Sequence, residues 1–233
     1  MDRKQLFKQM PWSWKELIVL LVLVLIVVPF FIEYLLQTNL TDLFQNDFYS
    51  GTLTGFIMSI IFLVGLYMVT LRPKKLSWKE VGLLRFSKSY WSQTILWAVV
   101  LVISSIVLAI IIDLLFGIGT DNQKTESIQT RLSTINIIIA FVSAAIISPV
   151  YEEIFYRGFL YRWFRVKFGL VTGLLVSSFI FTLVHIPTYN SLPYNFLSGL
   201  IFAWTYEKTS SVYPAIIIHG IFNGLSVILT VIM

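Results

Sequence analysis

The sequence predicts an all-α, polytopic bundle of transmembrane helices with about seven spans. Two observations carry this prediction. Hydrophobic residues make up 57% of the 233 residues and charged residues only 12%, which is about half of the charged fraction usual in a soluble domain. Several apolar stretches also reach the roughly 20 residues that cross a hydrocarbon core. The mean hydropathy of +0.82 agrees, so we expect an integral membrane protein.

The hydrophobic pattern places the spans in order along the chain. They are Trp14–Leu36, Leu53–Leu71, Trp91–Phe116, Ile135–Phe155, Leu170–Pro187, Leu192–Tyr206 and Val212–Met233. The fourth is expected to continue as helix past Arg157, and the sixth is the shortest. We expect residues 1–134 to hold the N-terminal spans with a basic cytoplasmic loop, and residues 135–233 to form a second transmembrane domain.

The charges of the connecting segments predict the orientation. Of the 17 Lys and Arg residues, 15 lie before the first span, between the second and third, after the fourth, or between the sixth and seventh. By the positive-inside rule these connections are cytoplasmic. The N-terminus is then inside and, after seven spans, the C-terminus outside. Because the net charge of +5 serves orientation, we expect lipids as partners and no nucleic acid.

The loop Arg72–Tyr90 carries six of these basic residues. A basic segment beside a membrane is attracted to anionic lipid headgroups. We therefore expect this loop to lie on the membrane surface as a short amphipathic helix.

The fourth span contains a pair of acids followed by a base, Glu152-Glu153-x-x-x-Arg157. Glu153 and Arg157 are four residues apart with the acid first, which is the favourable order for an ion pair on one helix face. Glu152 is rotated by about 100° and points elsewhere. One carboxylate is thus neutralised while the other stays available. The alternative is an ion pair at the end of a span, where charged side chains reach the interface.

The two histidines of the chain lie in the fifth and seventh apolar segments. His185 follows Phe181 by four residues, and Asn223 follows His219 by four, so each pair shares a helix face. A histidine near a helix end can also be a cap, and a His–Asn pair can hydrogen-bond neighbouring helices. Each motif alone therefore has a structural explanation.

Together the three motifs indicate hydrolytic chemistry. A carboxylate assisted by a histidine can take a proton from water, and a second histidine with an asparagine amide can donate to a developing oxyanion. Glu152, His185 and His219 could instead hold Zn²⁺ with one open position. The chain has no cysteine, so thiolate ligands and disulfides are excluded.

The three motifs, in this order, resemble the CPBP family of intramembrane proteases, which includes the CAAX prenyl endopeptidases and bacterial enzymes linked to bacteriocin processing or self-immunity. The family pattern is Glu-Glu-x-x-x-Arg, then Phe-x-x-x-His, then His-x-x-x-Asn. This sequence matches it at Glu152 to Arg157, at Phe181 to His185 and at His219 to Asn223. The resemblance covers roughly Ile135–Val231.

The resemblance implies a role for each matching residue. Glu152 would be the general base that activates water, assisted by His185, and His219 with Asn223 would stabilise the oxyanion. Glu153 and Arg157 would be a supporting ion pair, and Phe181 would pack rather than react. The family includes enzymes described both as metalloproteases and as metal-independent, so Zn²⁺ stays an open alternative. The implied place is a bacterial cell membrane, with a cavity that opens toward the cytoplasm.

The predicted span boundaries create a conflict over depth. Glu152 falls near the cytoplasmic end of the fourth span, while His185 falls late in the outward-going fifth. At 1.5 Å per residue these positions differ in depth by more than about 10 Å. A shared site therefore requires that the fourth helix runs longer, so that Glu152 lies well inside, or that the fifth starts later.

Two other functional classes fit parts of the sequence. A non-catalytic membrane protein of bacteriocin self-immunity would use the same residues as structural contacts. A small transporter could use the acids as a proton relay, although the chain lacks the internal repeat that such folds often show. For a protease, the expected substrate is a peptide or a membrane-associated protein segment.

Overall fold

The structure is a computed structural model that describes residues 6–119 and 122–232, and these residues contain helices and no β-strand. Arg3, Lys4 and Met233, which the sequence analysis counted among the basic residues and in the seventh span, lie outside this part of the chain. The helices in chain order are α1 Trp14–Phe44, α2 Asp47–Lys74, α3 Lys88–Phe116, α4 Gln123–Gln129, α5 Thr134–Phe168, α6 Leu170–Leu183, α7 Leu192–Thr209 and α8 Tyr213–Ile232.

Five of these helices are long and apolar enough to cross a membrane: α1, α2, α3, α5 and α8. The all-helical membrane fold is therefore confirmed. The fifth and sixth predicted spans correspond to α6, which has only 14 residues, and α7, which has 18. These two helices form a packed hairpin. A hairpin that enters and leaves on the same side of the membrane adds no crossing. Five crossings, like seven, leave the two termini on opposite sides, and the predicted orientation stays a prediction.

Helix boundaries follow local capping chemistry. Ser13 and Glu16 form a capping box at the start of α1, and Asn46 Oδ1 accepts from the backbone N–H groups of Phe48 and Tyr49 at the start of α2. Such caps satisfy amides that have no partner within the helix. The connection expected between the first two spans, over residues 37–51, is not an open loop, because helix continues on both sides of a two-residue turn at Gln45 and Asn46.

The long helix α5 is the centre of the bundle and packs against α2, α6 and α8. It runs over 35 residues, far beyond the predicted span Ile135–Phe155. Two stretches of it, Ser143–Ile147 and Ile154–Tyr161, have π-helical hydrogen bonding, which is frequent at functional sites. Residues 154–163 are buried throughout, so the half of α5 expected to reach the cytoplasm lies inside the protein.

Two expectations about the basic residues are corrected. Helix continues past Arg157 as expected, but Arg157 and Arg162 are buried within α5 rather than exposed, and their side of the membrane stays a prediction. Arg162 Nε and Nη2 donate to the backbone carbonyls of Leu6 and Gln9 at 2.7 and 2.8 Å, which ties the N-terminal segment to the bundle.

The loop Arg72–Tyr90 is likewise not an amphipathic surface helix. It folds into short 3₁₀ turns and inserts Val81, which is fully buried, against Gly158. A Cβ atom at Gly158 would collide with the Val81 carbonyl. The close approach of these two backbones therefore requires glycine.

The conflict over depth is resolved by the length of α5. Glu152 lies 16 residues before Phe168, and His185 lies 15 residues after Leu170, on the two sides of the turn at Gly169. At 1.5 Å per residue both stand about 22–24 Å from that turn. The first of the two conditions for a shared site is met, since Glu152 lies near the middle of α5 rather than at its end.

Candidate active site

The candidate site is built on the middle of α5, where two adjacent glutamates have different partners. Glu153 is fully buried. Its Oε2 lies 3.0 Å from Arg157 Nε, and its Oε1 accepts a hydrogen bond from His219 Nδ1 at 2.9 Å. The predicted ion pair of Glu153 and Arg157 is therefore present. Both oxygens of Glu153 are engaged, which leaves Glu152 as the carboxylate available for chemistry.

Aromatic rings enclose the guanidinium group of Arg157. Its Cζ atom lies 4.5 Å from the ring centroid of Phe181 and 5.2 Å from that of Phe202. A desolvated cation is attracted to the face of an aromatic ring. Phe181 therefore packs against the ion pair, as the resemblance implies, and the pair is kept out of water.

Glu152 is only 9% exposed, and its two oxygens are not equivalent. Ser148 Oγ donates to Oε1 at 2.9 Å. Oε2 is buried and has no hydrogen-bond partner among the described residues, and it lies 3.9 Å from His219 Nε2. This distance is too long for a direct hydrogen bond. One oxygen is therefore held while the other can accept a proton.

His219 is oriented by its neighbours on two sides. Its ring stacks on Phe202 with centroids 4.7 Å apart and planes inclined by 20°. Because the Glu153 carboxylate can only accept, we assign the hydrogen of the neutral ring to Nδ1. The other nitrogen, Nε2, then faces Glu152.

His185 lies just past the end of α6 and, like His219, contacts the ring of Phe181. The Phe181 ring centroid is 4.8 Å from that of His185 and 6.0 Å from that of His219. His185 Nδ1 lies 2.7 Å from the Phe181 carbonyl, which can only accept. The structure thus brings both histidines to one aromatic ring at the height of Glu152, with Nδ1 of His185 committed to the backbone.

Asn223 contacts α5 two turns before Glu152, where its amide Nδ2 donates to the Ala144 carbonyl at 3.0 Å. The need for this donor follows from Pro149. In the π-helical stretch, the Ser148 N–H donates to the Ser143 carbonyl. In the same register the Ala144 carbonyl would accept from the N–H of residue 149. That residue is Pro149, which has no N–H. Asn223 supplies the missing donor, and its second amide hydrogen stays available.

Loss of the Asn223 donor is expected to destabilise the protein. Asn223→Ala leaves the partly buried Ala144 carbonyl without its donor, at an expected cost of about 1 kcal/mol, which should lower the midpoint of thermal unfolding in detergent. Asn223→Asp should lower it further, because a carboxylate would face the carbonyl oxygen. Asn39 offers a matched control, since its amide also donates to a helix carbonyl, that of Leu35, but is exposed. Equal midpoints for Asn223→Ala and Asn39→Ala would contradict this role.

Sequence reasoning missed three residues of the site. Ser148 bonds Glu152, the Tyr151 hydroxyl lies 3.4 Å from Ser148 Oγ, and Phe202 covers both Arg157 and His219. The spacing of four between Ser148 and Glu152 was a visible signal, although many serines in helices have such spacing. Nothing local marks Phe202, because its role depends on how α7 packs against α5.

The proposed zinc ligands do not form a metal site in this structure. Among residues 6–119 and 122–232, no three His, Cys, Asp or Glu side chains are placed to hold a metal ion. The residues present therefore do not fit a three-ligand zinc site, and we derive no step through a metal.

Comparison with known proteins places the site residues inside one matched segment. Residues 134–225 match the family model described as type II CAAX prenyl endopeptidase Rce1-like. This segment includes Glu152, His185, His219 and Asn223. No solved structure gives a significant match.

Three bacterial relatives support the same relationship. The putative membrane peptidase YdiL of Bacillus subtilis is 29% identical over 114 residues, which are 49% of this chain and 46% of the relative. The UPF0177 protein YbdI of Lactococcus lactis is 27% identical over 75% of this chain and 95% of the relative. The membrane-embedded CAAX protease MroQ of Staphylococcus aureus is 28% identical over 74% of this chain and 72% of the relative. The chain therefore spans less than half of YdiL.

The fold and these comparisons define the class, an integral membrane protein related to membrane peptidases. Within that class, the resemblance to the CPBP family is confirmed for residues 134–225, which match the Rce1-like CAAX prenyl endopeptidase model, and it is supported by the similarity to MroQ.

Proposed function

We propose that this protein is an intramembrane endopeptidase that cleaves a peptide or a membrane-associated protein segment with a water molecule activated by Glu152. One observation carries the proposal. Glu152 has one oxygen held by Ser148 and the other buried, without a partner among the described residues, 3.9 Å from a histidine nitrogen. A carboxylate in that setting can accept a proton from water.

The chemistry follows from the neighbouring groups. Glu152 Oε2 takes a proton from water, and the resulting hydroxide attacks the scissile carbonyl carbon to form a tetrahedral oxyanion. The free amide hydrogen of Asn223, and His219 in its doubly protonated form with a hydrogen on Nε2, are proposed to donate to that oxyanion, and His185 to assist Glu152. The C–N bond then breaks, and the proton held by Glu152 passes to the leaving amine. The products are a carboxylic acid and an amine.

The engagement of Glu153 supports giving the base role to Glu152 alone. Glu153 already binds Arg157 and His219, so protonating it would disrupt a buried ion pair. The names of the relatives favour a peptidase over a non-catalytic immunity protein. We infer that the protein lies in a bacterial membrane and that its substrate reaches the site from the cytoplasmic side.

A cleavage assay tests this function. The purified protein in detergent is incubated with a diverse peptide pool, with and without a chelator, and products are identified by mass spectrometry. We expect cleavage that survives chelation, because the described residues offer no three-ligand metal site. Loss of cleavage on chelation, restored by Zn²⁺, would overturn the mechanism. No cleavage by the folded protein would favour the immunity alternative.

A further inference from the structure

The hydroxyl of Ser148 behaves differently from other hydroxyls in this bundle. Serine and threonine side chains in helices usually bond the carbonyl four residues earlier. That bond is present at Thr38, Thr70, Thr94, Ser104, Thr182, Thr209, Ser226 and Thr230. Ser148 instead donates forward, to Glu152.

The carbonyl that Ser148 would ordinarily use already has one donor. Four residues before Ser148 is Ala144, whose carbonyl accepts the amide of Asn223. Ala144, Ser148 and Glu152 are spaced by four and so lie along one face of α5. Ser148 therefore lies between the Asn223 contact and Glu152, and its hydroxyl bonds Glu152.

The local backbone and Tyr151 support the same orientation. The Ser148 N–H donates to Ser143 in the π-helical register, and Pro149 follows directly. The Tyr151 hydroxyl lies 3.4 Å from Ser148 Oγ. If it donates weakly to that oxygen, Ser148 keeps its own hydrogen for Glu152 Oε1. A hydroxyl that both accepts and donates is held more firmly than one with a single bond.

We propose that Ser148 is a positioning residue for the reaction: by holding Glu152 Oε1, it leaves Oε2 facing His219 as the oxygen that takes the proton from water. A glutamate side chain is flexible and its terminal torsion is broad. Without the Ser148 bond, the carboxylate can rotate, and the oxygen nearest His219 is no longer fixed.

The catalytic test rests on the proposed function. Ser148→Ala, which preserves the helix, is expected to lower kcat by about tenfold or more through loss of a charge-assisted hydrogen bond, with KM unchanged. Ser148→Thr keeps the hydroxyl and should recover most of that loss. Ser143→Ala is the matched control, a half-buried serine five residues earlier on α5, and should leave kcat unchanged. The substrate is the peptide that the wild-type protein cleaves fastest.

A second measurement does not depend on catalysis. The chain has seven glutamates, so a protein labelled with ¹³C at glutamate carboxyl carbons gives few signals, and Glu152→Gln identifies that of Glu152. We expect this signal to shift in Ser148→Ala and to stay in place in Ser143→Ala. An unshifted signal, or wild-type kcat in Ser148→Ala, overturns the proposal. A shifted signal in a protein that cleaves nothing would keep the contact and reject the proposed function instead.

Discussion

Glu152→Gln is expected to abolish peptide cleavage, by about 10²- to 10⁴-fold, while the protein still accumulates in membranes and remains folded. General base catalysis contributes a factor of that order. Glutamine has nearly the shape of glutamate, and its amide oxygen can still accept from Ser148 Oγ, which donates to Glu152 at 2.9 Å. What is lost is the ability to take a proton from water.

The comparison needs a glutamate outside the site and a measure of folding. Glu126→Gln is suitable because Glu126 is exposed on the short helix Gln123–Gln129, and it should keep wild-type cleavage. Both variants are compared at equal amounts of monodisperse protein. Cleavage at the wild-type rate by Glu152→Gln would reject Glu152 as the base, and would be the behaviour expected of an immunity scaffold.

Arg157→Ala should cause the largest loss of stability. The side chain is fully buried, lies 3.0 Å from Glu153 and is covered by Phe181. Its removal leaves a carboxylate in a desolvated place, a change that typically costs about 3–5 kcal/mol. For a protein of this size the midpoint of thermal unfolding should fall on the order of 10 °C. Activity should be lost as well, because Glu153 orients His219.

Two further variants isolate the cause. Arg157→Ala combined with Glu153→Gln removes the stranded charge and should recover part of the lost stability. Arg72→Ala removes an exposed arginine at the end of α2 and should change the midpoint little. A normal midpoint for Arg157→Ala, measured by intrinsic fluorescence in detergent, would mean that the buried ion pair does not stabilise the fold.

Much of the fold could be predicted because membrane insertion depends on local composition. The five long helices follow from apolar runs of sufficient length. The errors lie where composition is ambiguous. The half of α5 after Phe155 is rich in Arg and Tyr, which suggested a cytoplasmic segment, yet Arg157 and Arg162 are buried with partners from α5 itself and from the N-terminal segment.

The loop Arg72–Tyr90 was misjudged for a related reason. Contact of its charges with lipid headgroups stays a prediction, but the expected helix was wrong: the loop forms short 3₁₀ turns and Val81 packs against Gly158. No periodic pattern in the loop encodes a partner so distant along the chain. The sequence did not predict which residues this loop contacts, although it did show the charge that the loop carries.

The reactive groups could be read from the chain because ionisable residues inside apolar segments are costly and therefore rare. The i, i+4 spacings already place Glu153 with Arg157 and His219 with Asn223. The roles of the individual atoms depend on contacts between helices. The length of α5 sets the depth of Glu152, Pro149 creates a carbonyl that Asn223 must satisfy, and Ser148 holds one oxygen of Glu152. Spacing along a helix specifies which side chains share a face, whereas the atoms that they meet belong to other helices and depend on how the bundle packs.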